Sequence, residues 1–426
     1  MTDICFIYLP HPYLKRPDAQ LPMGILMLAA VIKKGGRYSV EVRNYTSHTT
    51  QEAIWNLPEA KIYGITATSM ELPIANDFAK FIKIKYPHSK IILGGPGVLI
   101  PELIDWNVID AGARGEADLK IFDIIKEINM ERSPRFWYCD PPLNLDELPY
   151  PAREMIDGKI GGNVFAHNKN YIGEGSTIIL SSRGCHFKCA FCAAPALTSV
   201  VRHRSPDSIF KEMEYVIEKY GIRQFRFSDD NLNNNKERLI SLCEKIGPLN
   251  VAWRGSIRVR PLDEETLRIM KGAGCRELSP GIESFDDKVL KLLNKKATAK
   301  DNIRALEMAD KVGIGFRMLL MIGTPGQTKK TISANKYYID NLPHAVVSCT
   351  KFVPMPGSDI WYYPERYGIE ILSRDMRDYN FYFFDAEGAT EFKPIIKIKD
   401  RPLDEFIQES NDFRYWLFER GDVNRG

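Results

Sequence analysis

The chain has 426 residues, enough for two or three domains, and 44% hydrophobic with 27% charged residues is ordinary for a globular protein. Its 58 basic and 55 acidic residues leave a net charge of +3, so no overall field favours a nucleic acid or an anionic membrane. The longest apolar run, 23–32, is too short to span a bilayer, and no leader pattern opens the chain. Five scattered cysteines also fit a reducing compartment, so we expect a cytoplasmic protein.

The first 127 residues alternate apolar strands with helical patterns, which predicts a doubly wound parallel sheet. The predicted strands are 4–9, 40–45, 62–66 and 91–93, and the predicted helices are 23–34 and 75–85. Ligands of such sheets bind at the carboxyl ends of the strands, where small residues let a flat ligand approach the backbone. The candidates there are Ser69, Met70, Gly94, Gly95, Gly97, Gly115 and Glu116. A simple glycine turn would have the same sequence as Gly94 to Gly97.

Residues 141–175 interrupt this alternation with four prolines. Because proline continues neither a helix nor a central strand, we predict a linker here. It separates a first domain, 1–140, from a second, 176–360, and leaves a small C-terminal region, 361–426.

Three cysteines follow a predicted strand, 177–180, with the spacing CxxxCxxC: Cys185, Cys189 and Cys192. Three thiolates so close together can hold a cubane iron–sulfur cluster by three irons and leave the fourth iron open to a small chelating ligand. A structural zinc site would need a fourth ligand, usually from a second CxxC pair, which the chain lacks. Three ordinary buried thiols are the alternative. The break after the strand counts against that alternative, because it places the cysteines on a loop.

From residue 176 to about 360 the strand–helix alternation resumes. The predicted strands are 177–180, 224–227, 251–256, 276–280, 316–322 and 345–352. Six strands are too few for a closed eightfold barrel, and they favour an open, partial (β/α)6 barrel of the TIM-like kind. Its functional groups are again expected at the carboxyl ends of the strands.

Charged residues stand at several of these strand ends. Asp229 and Asp230 follow the second strand and could receive an ammonium group or cap a turn. Arg254 and Arg258 share one face of the third strand, where each could pair with a carboxylate or form a surface ion pair. Glu283 ends the fourth strand, and a glutamate there is costly unless it is hydrogen-bonded.

Two further positions have open interpretations. Gly323 follows the fifth strand and lets the backbone approach a ligand, although a Pro-Gly turn has the same appearance. Cys349, late in the sixth strand, either donates hydrogen to a substrate radical or packs in the core. The aromatic-rich region 361–426 either closes over substrate or forms a small core of its own.

The cysteine motif, Phe191 before its third cysteine and the Gly-Ile-Glu-Ser sequence at 281–284 resemble the radical S-adenosylmethionine (radical SAM) superfamily. The resemblance implies a [4Fe-4S] cluster on the three cysteines and SAM on its open iron. It further implies contacts to SAM from six residues: Phe191, Asp229, Asp230, Arg258, Glu283 and Gly323.

The N-terminal segment resembles the Rossmann-like cobalamin-binding domain that precedes many radical SAM domains, with Ser69 and Gly94-Gly95 at matching positions. Domains that ligate cobalt through histidine have DxHxxG after the first strand, whereas residues 9–14 here read Leu-Pro-His-Pro-Tyr-Leu. The resemblance therefore implies cobalamin without a histidine ligand to cobalt, and His11 is expected to be a core or turn residue.

Together these resemblances imply a cobalamin-dependent C-methyltransferase that acts on an unactivated carbon of a small molecule, with an electron donor such as flavodoxin or ferredoxin. A cobalamin-independent radical dehydratase, epimerase or cyclase is the first alternative. A non-catalytic cobalamin or cluster sensor is the second. A methylthiotransferase is disfavoured, because it would usually have a second cysteine trio in the N-terminal domain. No sequence feature identifies the substrate.

Overall fold

The computed structural model describes residues 1–11, 21–156, 175–198, 200–342, 346–380, 384–385, 388–389 and 392–420. It divides into two compact units. Unit 1 comprises Met1–Gly162, Ala196–Thr198 and Asp375–Asn380, and unit 2 comprises Asn163–Pro195, Ser199–Arg374 and Phe381–Gly426. Most of the predicted linker, 157–174, lies outside the described residues. No helix among the described residues is long and apolar enough to cross a membrane.

Unit 1 contains a six-stranded parallel sheet, as its alternating pattern predicts. Its elements along the chain are β1 Thr2–Tyr8, α1 Met23–Gly35, β2 Val40–Asn44, α2 Thr50–Trp55, β3 Ala60–Thr66, α3 Leu72–Lys85, β4 Lys90–Gly94, β5 Ala111–Gly115, α4 Ile121–Asn129 and β6 Phe136–Cys139. The strand order is β2-β1-β3-β4-β5-β6. Because the chain leaves β1 for β2 on one side and then crosses to β3 on the other, the sheet has a topological switch point between the carboxyl ends of β1 and β3, where ligands of such sheets bind.

Unit 2 contains a second six-stranded parallel sheet, with the order β14-β13-β12-β11-β10-β7. The elements of this part of the chain are β7 Thr177–Ile179, β8 Ser182–Arg183, α5 Ala194–Leu197, β9 Arg202–His203, α6 Pro206–Tyr220, β10 Gln224–Phe227, α7 Lys236–Ile246, β11 Ala252–Ile257, α8 Glu264–Gly272, β12 Cys275–Glu283, α9 Asp287–Leu292, α10 Ala299–Val312, β13 Gly315–Ile322, α11 Lys329–Asn341 and β14 Val346–Lys351. The predicted parallel α/β fold is confirmed here as well.

The two faces of this sheet differ in polarity. On β13, Phe316 and Met318 are buried, whereas Arg317 between them is partly exposed. The buried face lies against the helices, because Trp253 on β11 donates through Nε1 to the carbonyl oxygen of Ala273, the residue after α8, at 2.8 Å. We call the opposite face, which includes Arg317, the inner face of the sheet.

A β-bulge interrupts the regular pairing of β12, the fourth strand of unit 2, with β11. Trp253 pairs with Cys275, but the next residue, Arg254, pairs with Glu277. Arg276 is therefore one extra residue on β12. Because the bulge leaves Arg276 unpaired, Glu277 instead of Arg276 lies opposite Arg254 and shares its face of the sheet.

The C-terminal region adds β15 Ile369–Ile371, β16 Phe384–Asp385, β17 Gly388–Ala389 and β18 Ile396–Ile398, with α12 Asp359–Tyr362 before them and α13 Leu403–Arg420 after them. Strands β15 and β18 form an antiparallel pair. Ile369 and Ile396 from this pair belong to a hydrophobic cluster that also contains Ala190 and Phe191 of the cysteine segment. The region therefore supplies core packing to unit 2.

Candidate functional site

The three cysteines lie on the loop that connects β8 with α5, beyond the carboxyl end of β7, and each is partly exposed. Burial raises the pKa of the Cys185 thiol, and it raises that of Cys192 to about 11. Within the described ranges, no three His, Cys, Asp or Glu side chains converge on one metal ion. A cubane binds each cysteine through a different iron, so its ligands do not have to meet at one point. The half-buried thiol loop therefore fits a cluster better than a single ion.

Asp229 and Asp230, which follow β10, hold the base of this loop. Asp229 is buried and accepts hydrogen bonds from Ser181 N at 3.3 Å, Ser181 Oγ at 2.8 Å and Ser182 Oγ. Asp230 Oδ2 accepts from Gly184 N at 3.1 Å, next to the first cysteine. Both carboxylates therefore act on the cysteine loop, and burial raises the pKa of Asp229. The sequence analysis did not identify the two serines, although they directly precede the cysteine motif.

Arg258, just after β11, reaches the loop directly. Its Nη1 atom lies 3.2 Å from Cys189 Sγ, and its guanidinium carbon lies 3.8 Å from the centre of the Phe187 ring. Its Nη2 atom donates to the carbonyl oxygen of Lys295. Arg258 thus joins a cysteine sulfur, an aromatic ring and the connection between α9 and α10. A cationic donor at a thiolate sulfur stabilises the negative charge that a cluster ligand carries.

Glu283, at the end of β12, forms a buried ion pair with Lys295 at 2.8 Å. Its φ angle of 62° lies in the left-handed region, which is uncommon for a residue with a side chain. Asn294 and Lys296 have φ angles of 52° and 56°, so the turn around Lys295 is strained as well. Asn294 Nδ2 donates to the carbonyl oxygen of Lys188 in the cysteine loop. Lys295 could not be identified from the sequence, because a lysine is ordinarily exposed.

Three other predicted residues serve the packing of unit 2. Phe191 lies against the hydrophobic cluster at β15 and β18. Gly323 has a φ angle of 78°, and a Cβ atom there would lie 2.9 Å from the Phe392 ring, so its missing side chain makes room for Phe392. Cys349 is 6% exposed, and burial raises its pKa. A buried thiol with a raised pKa fits core packing.

In unit 1 the predicted glycines after β4 differ in their surroundings. A Cβ atom on Gly94 would meet nothing within 4 Å, so open space lies beside it. Gly95 has a φ angle of 83°, and a Cβ there would lie 2.7 Å from the Ala67 carbonyl oxygen. Gly97 N donates to the same oxygen at 2.8 Å. Gly95 and Gly97 thus shape the turn, and Gly94 leaves room for a ligand.

The remaining candidate residues of unit 1 have less free space around them. Ser69 and Met70 are buried, at 2% and 5% exposure. A Cβ on Gly115 would lie 2.2 Å from the Cys139 carbonyl oxygen, which also accepts a hydrogen bond from Glu116 N at 3.3 Å. Gly115 and Glu116 therefore fix the backbone between β5 and β6.

His11 lies shortly after β1, which is a neighbour of β3 in the sheet. Its Nε2 atom is 3.3 Å from Glu71 Oε1, and Glu71 Oε2 accepts from Thr68 N at 2.7 Å. Burial lowers the pKa of His11, although the charge of Glu71 opposes this. The side chain of His11 thus lies against a neighbouring carboxylate. The sequence analysis did not identify Glu71.

Residues 179–334 match the model of the radical SAM superfamily. The chain is 27% identical over 362 residues to an uncharacterized methyltransferase of Pyrococcus horikoshii, covering 79% of this chain and 74% of that protein. It is 23% identical over 386 residues to the anaerobic magnesium-protoporphyrin IX monomethyl ester cyclase of Rubrivivax gelatinosus, covering 84% and 68%.

Two solved structures share the fold. The radical SAM methyltransferase TsrM of Kitasatospora setae, with cobalamin and a [4Fe-4S] cluster bound, has a TM-score of 0.71 at 16% identity and covers 100% of this chain and 93% of that one. The cobalamin-dependent radical enzyme OxsB, with aqua-cobalamin and SAM bound, has a TM-score of 0.68 at 14% identity, covering 99% and 67%. The matched domain begins just before the cysteine loop, and the similar folds extend over unit 1 as well. Residues 179–334 therefore form a domain similar to those of the radical SAM superfamily, and the fold of the chain is that of TsrM and OxsB.

Proposed function

We propose that this enzyme is a cobalamin-dependent C-methyltransferase that acts on an unactivated carbon of a small molecule. One chain combines a cysteine loop held by the carboxylates of Asp229 and Asp230 with an open glycine at the carboxyl end of a parallel sheet. The named methyltransferases among its relatives support the same reaction. We further propose that the sheet of unit 2 is a partial (β/α)6 barrel of the TIM-like kind.

Cys185, Cys189 and Cys192 would hold the [4Fe-4S] cluster, which supplies the electron for reductive cleavage of SAM. Asp229 is committed to Ser181 and Ser182, so we assign the contact with the amino group of SAM to Asp230. Glu283, Phe191 and Gly323 remain proposed contacts of SAM. Flavodoxin or ferredoxin is the proposed electron donor, and the cytoplasm is the proposed location, because its reducing conditions keep the thiols free.

Cobalamin would lie against Gly94 in unit 1, where the backbone leaves space beside the end of β4. Gly95 and Gly97 would maintain the shape of the turn, with Ser69, Met70, Gly115 and Glu116 supporting the surrounding loops. His11 is held by Glu71, so we propose that it does not ligate cobalt. Cobalamin supplies the methyl group to be transferred.

The test is an anaerobic assay of the reconstituted enzyme with SAM, a reductant, hydroxocobalamin and candidate substrates. Equal amounts of 5'-deoxyadenosine and S-adenosylhomocysteine are expected, because one SAM yields the radical and another donates the methyl group. Deoxyadenosine alone, without retained cobalamin, would instead support a radical dehydratase, epimerase or cyclase. The absence of both products would support a sensor.

A further inference from the structure

Exposed lysines lie next to the part of the cysteine loop that carries Cys189. Lys188 directly precedes this cysteine, Lys288 and Lys291 lie on α9, and Lys296 lies in the turn after α9. All four lysines are exposed, and all belong to unit 2. Because Lys288 and Lys291 are three residues apart on a helix, they lie on the same side of α9. We call these four residues the lysine patch.

Hydrogen bonds hold the cysteine loop against the end of α9. Asn294 Nδ2 donates to the carbonyl oxygen of Lys188 at 2.5 Å. Ala190 N donates to the carbonyl oxygen of Leu293 at 2.9 Å. The loop is thus tied, on both sides of its second cysteine, to the two residues that follow α9. Asn294 N also donates to the carbonyl oxygen of Lys291 at 3.0 Å, so the end of α9, its turn and the loop are adjacent.

The ammonium groups of the lysine patch are not neutralised by carboxylates. Within the part of the chain that the structure describes, none of the four forms an ion pair. Exposed lysines of α7 and α10 do form ion pairs, Lys245 with Asp207 at 2.5 Å and Lys311 with Glu264 at 2.7 Å. The lysine patch therefore differs from other exposed lysines of unit 2.

The carboxylates at the start of α9 bind to other helices. Asp286 Oδ2 accepts from Thr331 Oγ1 of α11 at 2.6 Å. Asp287 Oδ1 accepts from Ala299 N of α10 at 2.7 Å. Both contacts lie at the start of α9, whereas the cysteine loop is tied to its end. An excess of positive charge thus remains beside the loop, and such an excess attracts an acidic partner.

Arg258 connects the lysine patch with a cysteine sulfur. Its Nη1 atom donates to Cys189 Sγ at 3.2 Å. Its Nη2 atom donates to the carbonyl oxygen of Lys295, the residue before Lys296. Cys189 itself is partly exposed. An electron that arrives at the lysine patch therefore has a short route of hydrogen bonds to a proposed ligand of the cluster.

We propose that the lysine patch docks an acidic protein that carries single electrons, and that the electron enters the cluster beside Cys189. The carrier loses one electron and the oxidised cluster gains it, while no bond forms or breaks and no proton moves. The cysteine sulfur beside the exposed charge favours such a carrier over a nucleic acid, which would need no redox centre there. This inference rests on the proposed function, because that function places the cluster on the cysteine loop and requires an electron donor.

The test follows reduction of the cluster by stopped-flow absorbance, with the full-length reconstituted enzyme and neither SAM nor substrate present. The reductant is fully reduced flavodoxin, an acidic one-electron carrier. We expect the triple variant Lys188→Gln/Lys291→Gln/Lys296→Gln to lower the second-order rate constant about tenfold at low salt, because the attraction between the two proteins is lost. At high salt the difference between variant and wild type should largely disappear, because salt screens exposed charges.

Three controls accompany this variant. The variant Lys188→Arg/Lys291→Arg/Lys296→Arg keeps the positive charges and should keep the wild-type rate constant. Lys211→Gln, which removes an exposed lysine of α6, should keep it as well. With photoreduced 5-deazaflavin, a small reductant without an acidic surface, all variants should react alike, which shows that their clusters are intact.

Equal rate constants for the wild type and the glutamine variant at low salt would overturn the proposal. So would a failure of flavodoxin to reduce a cluster that 5-deazaflavin reduces. Saturable binding of a short RNA by the wild type, but not by the glutamine variant, would then assign the lysine patch to a nucleic acid. Product formation tests the methyltransferase separately, because this assay needs neither substrate nor cobalamin, so either result can fail while the other holds.

Discussion

At the residue scale, Arg258 has the most direct contact with the cysteine loop. Its guanidinium donates to Cys189 Sγ at 3.2 Å. A hydrogen bond and a positive charge at a cluster sulfur favour the reduced state. We expect Arg258→Gln to lower the reduction potential on the order of 60 mV, which corresponds to a tenfold change in the one-electron equilibrium. An EPR-monitored redox titration measures this, with Arg268→Gln as the control. An unchanged potential would mean that Arg258 only packs on Phe187.

Gly94 and Gly95 form a matched pair for testing the proposed cobalamin site of unit 1. Gly94→Ala should leave the melting temperature unchanged, since its Cβ meets open space, but should weaken retention of hydroxocobalamin. Gly95→Ala should destabilise the fold by about 1–3 kcal/mol, because a side chain is strained at its φ of 83°. Thermal melting and the visible absorption of gel-filtered protein measure the two effects. Full retention of cobalamin by Gly94→Ala would show that the corrin ring does not lie against Gly94.

His203 makes the base of the cysteine loop sensitive to acid. It pairs with Ser182, which holds Asp229, and burial together with the charge of Arg238 lowers its pKa from 6.5 to about 4. The unfolded chain therefore binds a proton at His203 below about pH 6.5, but the folded chain does so only near pH 4, so stability falls as the pH drops through this range.

We expect the free energy of unfolding, measured in urea, to decrease from pH 6.5 to 4 more steeply for the wild type than for His203→Gln. His88→Gln removes an exposed histidine and should retain the wild-type slope. Equal slopes for all three proteins would show that folding does not lower the pKa of His203.

At the scale of elements, the pair β15–β18 supports the cysteine loop by packing. Ile396 is 1% exposed in the cluster that contains Ala190 and Phe191. Ile396→Ala should destabilise unit 2 by about 2–5 kcal/mol and reduce the iron content after reconstitution, because the loop loses its support. Lys397→Ala, on the exposed face of the same strand, should change neither. Normal iron content in Ile396→Ala would limit the role of β15–β18 to stability.

The elements also show what the sequence could predict. The strands predicted at 224–227 and 316–322 match β10 and β13 within a residue, because their apolar side chains repeat with the period of a strand. The strand β5 was not predicted, since its sequence Ala-Gly-Ala-Arg-Gly has no residue that favours strands; pairing with β4 and β6 determines its position.

The residues of the site could be predicted where the spacing of residues along the chain indicates the chemistry. They were harder to predict where the site depends on tertiary contacts. The cysteine spacing and the positions at strand ends identified Asp229, Arg258 and Glu283 as candidates. Their partners could not be predicted, because Lys295 becomes buried only through the left-handed turn around it. Glu277 likewise faces Arg254 only because of the bulge at Arg276.

At the scale of the whole molecule, the two proposed cofactor sites belong to separate compact units. We expect a variant with Cys185, Cys189 and Cys192 all changed to alanine to lose iron and to retain hydroxocobalamin. Iron analysis and visible spectroscopy on the same sample measure both. Loss of cobalamin together with iron would show that corrin binding depends on the cluster.

The extra residue Arg276 has a consequence for how such an enzyme could change during evolution. Its bulge lets Glu277 lie opposite Arg254, whereas the loop that carries the cysteines is fixed from β7 and β10. After a single-codon deletion at Arg276, Glu277 would follow Cys275 directly and would still lie opposite Arg254, in a strand without a bulge. Descendants of this gene can therefore lose this codon and inherit the same ion pair and the same cysteine loop.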